Sequence, residues 1–325
     1  MTQALINSVL SSINEKKRFL ITSHQDPDGD SLGSQIALYH ALRNMGKEVI
    51  IANQGIMPSK YNFMDPDGIV KFESGPLEFD PECVFVLECP SLERTGFVEK
   101  LIPGSATILN IDHHPDNEEY GDVNLIDVDS SAVGETLYLI FEKGNVPITR
   151  EIAVALYAAI ISDTGRFRFS STTSRCMLIA SKLVESGADP KFISDKISSN
   201  LAPETIKLLG HTLAGLKLDK NGKIGYVAID SHSLIESGAD IENSEGFVDM
   251  ILSISGIHIG ILFKELNRDR VKVSVRSQNG CDAAAFAKIF DGGGHVNAAG
   301  FAQDGSLDKV IDMVIARARD FVGDE

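Results

Sequence analysis

The sequence predicts an α/β protein: a doubly wound, mostly parallel sheet in an N-terminal domain, then a smaller α+β C-terminal domain, with the active site in the cleft between them. Three observations lead there. Strand-like and helix-like segments alternate through the first half, the pattern of parallel strands joined by crossover helices. The alternation gives way to a helical stretch near residue 190, and a second mixed set of strands and helices follows it. A chain of 325 residues with 43% hydrophobic content suffices for two buried cores.

In chain order, residues 4–16 have helical spacing and 18–23 (RFLITS) form a short apolar run that ends in polar residues. Residues 31–45 are again helical and are closed by Gly46. Residues 47–52, 83–87 and 106–111 read as further buried strands. From 132 to about 186 the pattern is helical, with 151–161 and 174–185 strongly apolar. Residues 190–216 form a helical connector with Pro203 near the first turn of its second helix. After it, strands are expected at 224–229, 257–264 and 271–276, and helices at 245–253, 282–289 and 306–322. The expected division is a domain at 1–190, a helical linker at 191–216 and a second domain at 217–325.

Lys and Arg number 30 against 46 Asp and Glu, a net charge of −16. Such a chain does not grip long duplex nucleic acid through its overall field, because that grip comes from Lys and Arg neutralising phosphates. The longest apolar stretch, 152–161, is shorter than the ~20 residues that span a bilayer. No membrane segment is expected, and a cytoplasmic protein is. Cys83, Cys89, Cys176 and Cys281 form no CxxC pair and read as reduced thiols.

The chemistry concentrates where strands end, the place at which open α/β sheets bind ligands. After the first strand stand His24, Asp26, Asp28 and Asp30, four charged or polar ligands within seven residues that repel and desolvate badly unless cations lie among them. A solvated acidic turn is the alternative. After 106–111 come Asp112-His113-His114, two imidazoles with a carboxylate to orient one of them; a surface His pair is the alternative. Asp163 follows the apolar run 153–161, with helix capping as the alternative, and Glu88 follows 83–87. Four strand-like segments ending in such residues describe a hard oxygen-and-imidazole site for two divalent ions, with no thiolate required.

The C-terminal half offers Arg276 and Ser277 at the end of an alternating strand, suited to clamp a phosphate. Gly292-Gly293-Gly294-His295 reads as a glycine run before a short helix, where bare N–H groups admit an anion. An exposed strand-end Arg and a flexible glycine loop are the alternatives.

Together these motifs resemble the DHH phosphoesterase superfamily over nearly the whole chain, and the pairing of Arg276-Ser277 with the glycine run and His295 resembles its DHH-associated C-terminal domain. The resemblance implies that His24 and Asp28 hold one metal, that Asp30, His113 and Asp163 hold the other, and that Glu88 takes the bridging position, where the family usually has Asp. His114, with Asp112, faces the scissile phosphate or leaving group. Arg276, Ser277, Gly292, Gly293, Gly294 and His295 hold the substrate, with Lys264 and Arg270 as weaker candidates. The branch it is similar to, nanoRNase and 3′-phosphoadenosine-5′-phosphate (pAp) phosphatase, implies Mn²⁺, with Mg²⁺ or Co²⁺ as alternatives. The implied substrates are short single-stranded RNA, linear dinucleotides such as pApA, and pAp, and a homodimer is compatible with that branch. The rival readings are a RecJ-type single-strand exonuclease, a manganese pyrophosphatase, and a non-catalytic nucleotide sensor in which Glu88 has spoiled the metal pair.

Overall fold

A computed structural model describes residues 3–72, 74–198, 202–244 and 246–323. The chain forms two compact units, Met1–Asn200 and Leu201–Glu325.

The first unit contains α1 (Gln3–Glu15), β1 (Arg18–Thr22), α2 (Gly29–Asn44), β2 (Glu48–Ala52), β3 (Val70–Lys71), β4 (Cys83–Leu87), β5 (Thr107–Asp112), β6 (Val123–Ile126), α3 (Val133–Lys143), α4 (Arg150–Asp163), α5 (Ser174–Glu185) and α6 (Pro190–Ser198). Its six strands are all parallel, in the order β3-β2-β1-β4-β5-β6. This is the doubly wound order, and its direction reverses between β1 and β4, the place where such sheets open a crevice. Alternate residues face the two layers. Phe19, Ile21, Phe85 and Leu87 join the large core that α2, α3 and α4 cover, while Leu20, Val84 and Val86 pack on the other face with Val98, Phe97 and Tyr120. Gly46 closes α2 with a left-handed φ of 76°, as expected for a residue that ends a helix.

The second unit contains α7 (Pro203–Ala214), β7 (Lys217–Leu218), β8 (Ile224–Ile229), α8 (Ser231–Ser237), α9 (Phe247–Leu252), β9 (Ile259–Asn267), β10 (Arg270–Ser277), α10 (Ala283–Lys288), β11 (Gly293–His295), β12 (Ala298–Asp304) and α11 (Leu307–Val322). Its sheet runs β11-β12-β10-β9-β8-β7 and is antiparallel except for the parallel pair β8–β9. One face packs Ile261, Phe263, Val273, Val275 and Phe301 against Phe286 of α10 and Val310 and Val314 of α11.

Two expectations change. The helical linker at 191–216 is not a separate segment: Ile193 of α6 lies in the core of the first unit and Leu208 of α7 in a core of the second. Residues 199–201 of that stretch, and Glu245 at the start of an expected helix, lie outside the described residues. The glycine run is followed by no helix. Gly293–His295 is a strand paired antiparallel with β12, in which Ala299 and Phe301 turn into the core while Ala298 and Gly300 face the other way.

Candidate metal centre

Neighbouring strands β1, β4 and β5 deliver His24, Glu88 and Asp112-His113-His114 to one end of the sheet. His24 is buried, with Nε2 2.6 Å from Glu88 Oε2, and its buried Nδ1 has no hydrogen-bond partner. Burial lowers the His24 pKa, against the charge of Asp28. Glu88 takes a left-handed φ of 51°, rare outside glycine, and its N–H donates to the Ile111 carbonyl at 3.0 Å. Burial, then the charges of Asp28, Asp30, Asp163 and Asp112, push its carboxyl well above the ordinary range.

The loop after β1 ends in α2, and Asp28 is the N-cap of that helix. Its Oδ1 accepts from Ser31 N at 3.0 Å, while the Ser31 hydroxyl accepts from Asp28 N at 2.9 Å. Capping therefore applies to Asp28 rather than to Asp163, and it fixes the carboxylate beside the sheet. Asp30 is wholly buried and accepts from Ser34 Oγ at 2.9 Å, Val133 N at 2.6 Å and Gly134 N at 3.0 Å. Those two amides are the unsatisfied donors that open α3, whose own N-cap, Ala132, has no side-chain acceptor. Burial still raises the Asp30 carboxyl despite these bonds.

Asp112, also buried, accepts from His114 Nδ1 at 2.7 Å, His113 N at 2.8 Å and Asn117 Nδ2 at 2.6 Å. Burial pushes its carboxyl up, but the His114 hydrogen bond and charge, with Asn117, outweigh that and hold it below its usual value. Asp112 thus acts through His114, keeping the proton on Nδ1 and leaving Nε2 3.8 Å from Glu88 Oε1. His113 Nδ1 lies 3.2 Å from the Ser130 carbonyl, which only accepts, so Nδ1 carries the proton and Nε2 presents a lone pair. That Nε2 is 3.3 Å from Asp163 Oδ2 and 4.0 Å from Asp30 Oδ2, without hydrogen-bond geometry to either.

Asp163 ends a helix, not a strand: it is the last residue of α4. It reaches the site because α4 crosses very near α2. A Cβ on Gly33 would stand 2.5 Å from the Ala155 carbonyl, one on Gly29 1.9 Å from Ser162 Oγ, and one on Gly134 2.7 Å from the Ala159 methyl. Arg166 and Phe167 then turn away through left-handed φ values of 62° and 63°. Burial and the charges of Asp30 and Asp28 push Asp163 well above the ordinary carboxyl range.

Donor atoms gather into three overlapping sets, each within 4.8 Å: His24, Asp28 and Glu88; Glu88, His113 and His114; Asp30, His113 and Asp163. Buried carboxylates forced towards their neutral form, beside imidazole nitrogens aimed at no donor, are what cations would relieve. The residues therefore fit divalent ions. Burial pushes the Cys83 and Cys89 thiols up to about 12, so neither offers a thiolate. Ser130, Asn117 and the α3 amides are supports that sequence reasoning missed. The contacts of Ser130 and the α3 amides are distant in sequence and carry no local signal, whereas Asn117, five residues after Asp112, and the Gly29/Gly33 spacing were visible but unread.

In the second unit, Arg276 donates Nε to Asp249 Oδ1 at 3.0 Å and Nη1 to the Val275 carbonyl at 3.2 Å, which fixes the guanidinium. Ser277 differs from its expected role: it is buried, gives its proton to the Val296 carbonyl at 2.7 Å and accepts from Ala283 N at 3.1 Å. It shapes the turn instead of donating to a phosphate. Gly292 and Gly294 are required by packing, since a Cβ would meet the Gly300 carbonyl at 2.5 Å or the Ala298 carbonyl at 2.4 Å, while Gly293 faces open space and His295 is exposed. Arg270 is engaged with Asp304 at 3.2 Å.

Residues 18–160 match the DHH family N-terminal domain, and residues 221–322 match the DHHA1 domain. A bifunctional oligoribonuclease and PAP phosphatase NrnA of Thermus thermophilus is 30% identical over 307 residues, 92% of this chain and 89% of the relative. The chain belongs to the DHH family. That membership makes it a hydrolase of the DHH phosphoesterase class. A Bacillus subtilis protein with the same name is 28% identical, covering 90% of this chain and 91% of its own. An exopolyphosphatase-related protein from Bacteroides fragilis has the same fold, with a TM-score of 0.92, 24% identity and coverage of 97% and 96%. Among the described residues of this DHH chain, no helix is long and apolar enough to cross a membrane.

Proposed function

We propose that this chain is a two-cation phosphoesterase, Mn²⁺-dependent, that hydrolyses short oligoribonucleotides, including pApA, to 5′-mononucleotides and converts pAp to AMP and phosphate. The observation that carries the reading is the overlap of the donor sets: His24 and Asp28 at one end and Asp30 and Asp163 at the other are linked through Glu88 and His113. Two divalent ions held there would supply positive charge to the phosphoryl oxygens and would acidify water.

The chain's own residues do the rest. Asp112, itself held by Asn117, keeps one proton on His114 Nδ1, so Nε2 is the nitrogen that carries the second proton of the imidazolium and can pass it to a leaving oxygen, returning the ring to its Nδ1–H form. The Ser130 carbonyl turns the His113 lone pair inward, and the opening amides of α3 hold Asp30 in place. In the second unit, Arg276, steadied by Asp249, offers the free edge of its fork to a non-reacting phosphate, and the Gly292–Gly294 segment with His295 lines the same strand end. The names of the Thermus and Bacillus relatives, oligoribonuclease and PAP phosphatase, support this substrate class for the chain.

The test is a Mn²⁺ assay of pAp and pApA with the wild type and Asp163→Asn. Turnover of both substrates, lost in the variant by about 10²-fold or more, is expected. An inert wild type would sink the reading.

A further inference from the structure

The second unit carries a cationic row that the substrate contacts above do not use. One face of its sheet is covered by α10 and α11. On the opposite face β10 presents Lys272, Ser274 and Arg276, with Lys272 exposed and the other two half-buried. The register sets three rows across the strands. Lys264, Lys272 and Ala302 make one; Leu262, Ser274, Gly300 and Gly293 the next; Gly260, Arg276, Ala298 and His295 the third.

Lys264 and Lys272 are direct cross-strand partners, so two ammonium side chains rise from neighbouring strands on this face. Arg270 on the same strand meets Asp304, whereas among the described residues no ion pair is formed by Lys272. Leu262 at one end of the middle row is buried in the core with Val248 and Ile251 of α9, and beyond it the row is low, because Ser274, Gly300 and Gly293 carry almost no side chain. Two cationic rows thus flank a flat strip. Along the strand Arg276 and Lys272 are four residues apart, about 13 Å at about 3.3 Å per residue, a span that two phosphodiester linkages of an extended single strand bridge.

We propose that Lys272, with Lys264 beside it, is a second phosphate subsite that takes the backbone phosphate of a short oligonucleotide two linkages from the phosphate at Arg276. The proposal rests on the phosphoesterase reading for the kind of ligand, and it deepens that reading by giving the enzyme a reach. A mononucleotide or pAp engages the Arg276 row alone, while a trinucleotide engages both.

Binding separates the two claims. The full chain, in EDTA so that nothing is cleaved, is titrated with 5′-phosphorylated adenylates of one, two and three residues at several salt concentrations. Wild type should bind the trinucleotide more tightly than the mononucleotide. Lys272→Ala should weaken trinucleotide binding about fivefold, lower its log–log salt slope by about 0.7 and leave the mononucleotide unchanged, and Lys272→Arg should restore the difference. Lys309→Ala on α11 changes net charge equally and should do nothing. Equal affinity of wild type for all three lengths, or a Lys272→Ala variant identical to wild type, would overturn the subsite. A wild type that shows the length preference but hydrolyses nothing with Mn²⁺ would keep the subsite and remove the phosphoesterase reading.

Discussion

Asp112 and Glu88 place the most specific demands on single side chains. Asp112 accepts four hydrogen bonds and belongs to no donor set, so its task is to hold the tautomer of His114. Asp112→Asn is expected to lower kcat by about 10²–10⁴ while Mn²⁺ affinity, read by calorimetry, stays near wild type. A loss of metal binding equal to the loss of rate would make Asp112 a ligand. Glu88 reaches His24 with a longer arm than the family's usual Asp, and its left-handed backbone sets where that arm starts. If the Glu is a working bridge, the wild type turns substrate over and Glu88→Asp stays within about tenfold of it. Activity seen only in Glu88→Asp would favour the sensor.

The same residues set a dependence on pH. Glu88, Asp30 and Asp163 are raised by burial and mutual repulsion, so the cation-free fold keeps protons that the unfolded chain has released. Their contribution to stability is present below the ordinary carboxyl range and is lost as pH rises through the raised values. His24, lowered by burial, acts oppositely below about 6.5, which places the clean comparison above neutrality. The rise in melting temperature on adding Mn²⁺ should therefore be larger at pH 8 than at pH 7, because more carboxylates stand uncompensated without it. An equal rise at both would show that these groups do not face the ions.

Among elements, the approach of α2 to α4 decides whether the two halves of the site meet. Gly33 lies against the backbone carbonyl of Ala155, which cannot rotate away. Gly33→Ala should destabilise the protein by about 1–3 kcal/mol in chemical denaturation and lower turnover by separating Asp30 from Asp163. A fully active, equally stable variant would contradict that packing. The elements best read from sequence were those with clear apolar runs and strong boundaries: β1, β4, β5 and α2. β6 was missed because Val123–Ile126 is a short edge strand with a single buried residue, and β12 because its Ala and Gly residues have low intrinsic strand preference. The Asp163 segment looked strand-like in its short apolar run, yet α4 is buried almost all round, and burial on every side erases helical periodicity. The candidate ligands other than Asp163 were legible because they follow strand ends. The groups that aim them, such as Ser130 and the α3 amides, were not, since nothing local marks a contact across more than a hundred residues such as Asp30 to Val133.

For the whole molecule, the net charge of −16 acquires a division of labour. On the proposed function, cations would offset the carboxylates at the sheet end, and the remaining negative charge would repel long polyanions and favour a substrate short enough to be held by Arg276 and its neighbours. Opposition to long strands should weaken with salt, and turnover of a long single strand should rise relative to a dinucleotide between low and physiological ionic strength. The most direct test of the account is turnover with Mn²⁺ across a ladder of 5′-phosphorylated RNA from two residues upward, with pAp alongside. The account predicts hydrolysis of pAp and of the shortest strands, falling sharply beyond a few nucleotides. Undiminished turnover of long strands, or no turnover of pAp and the dinucleotide, would contradict it.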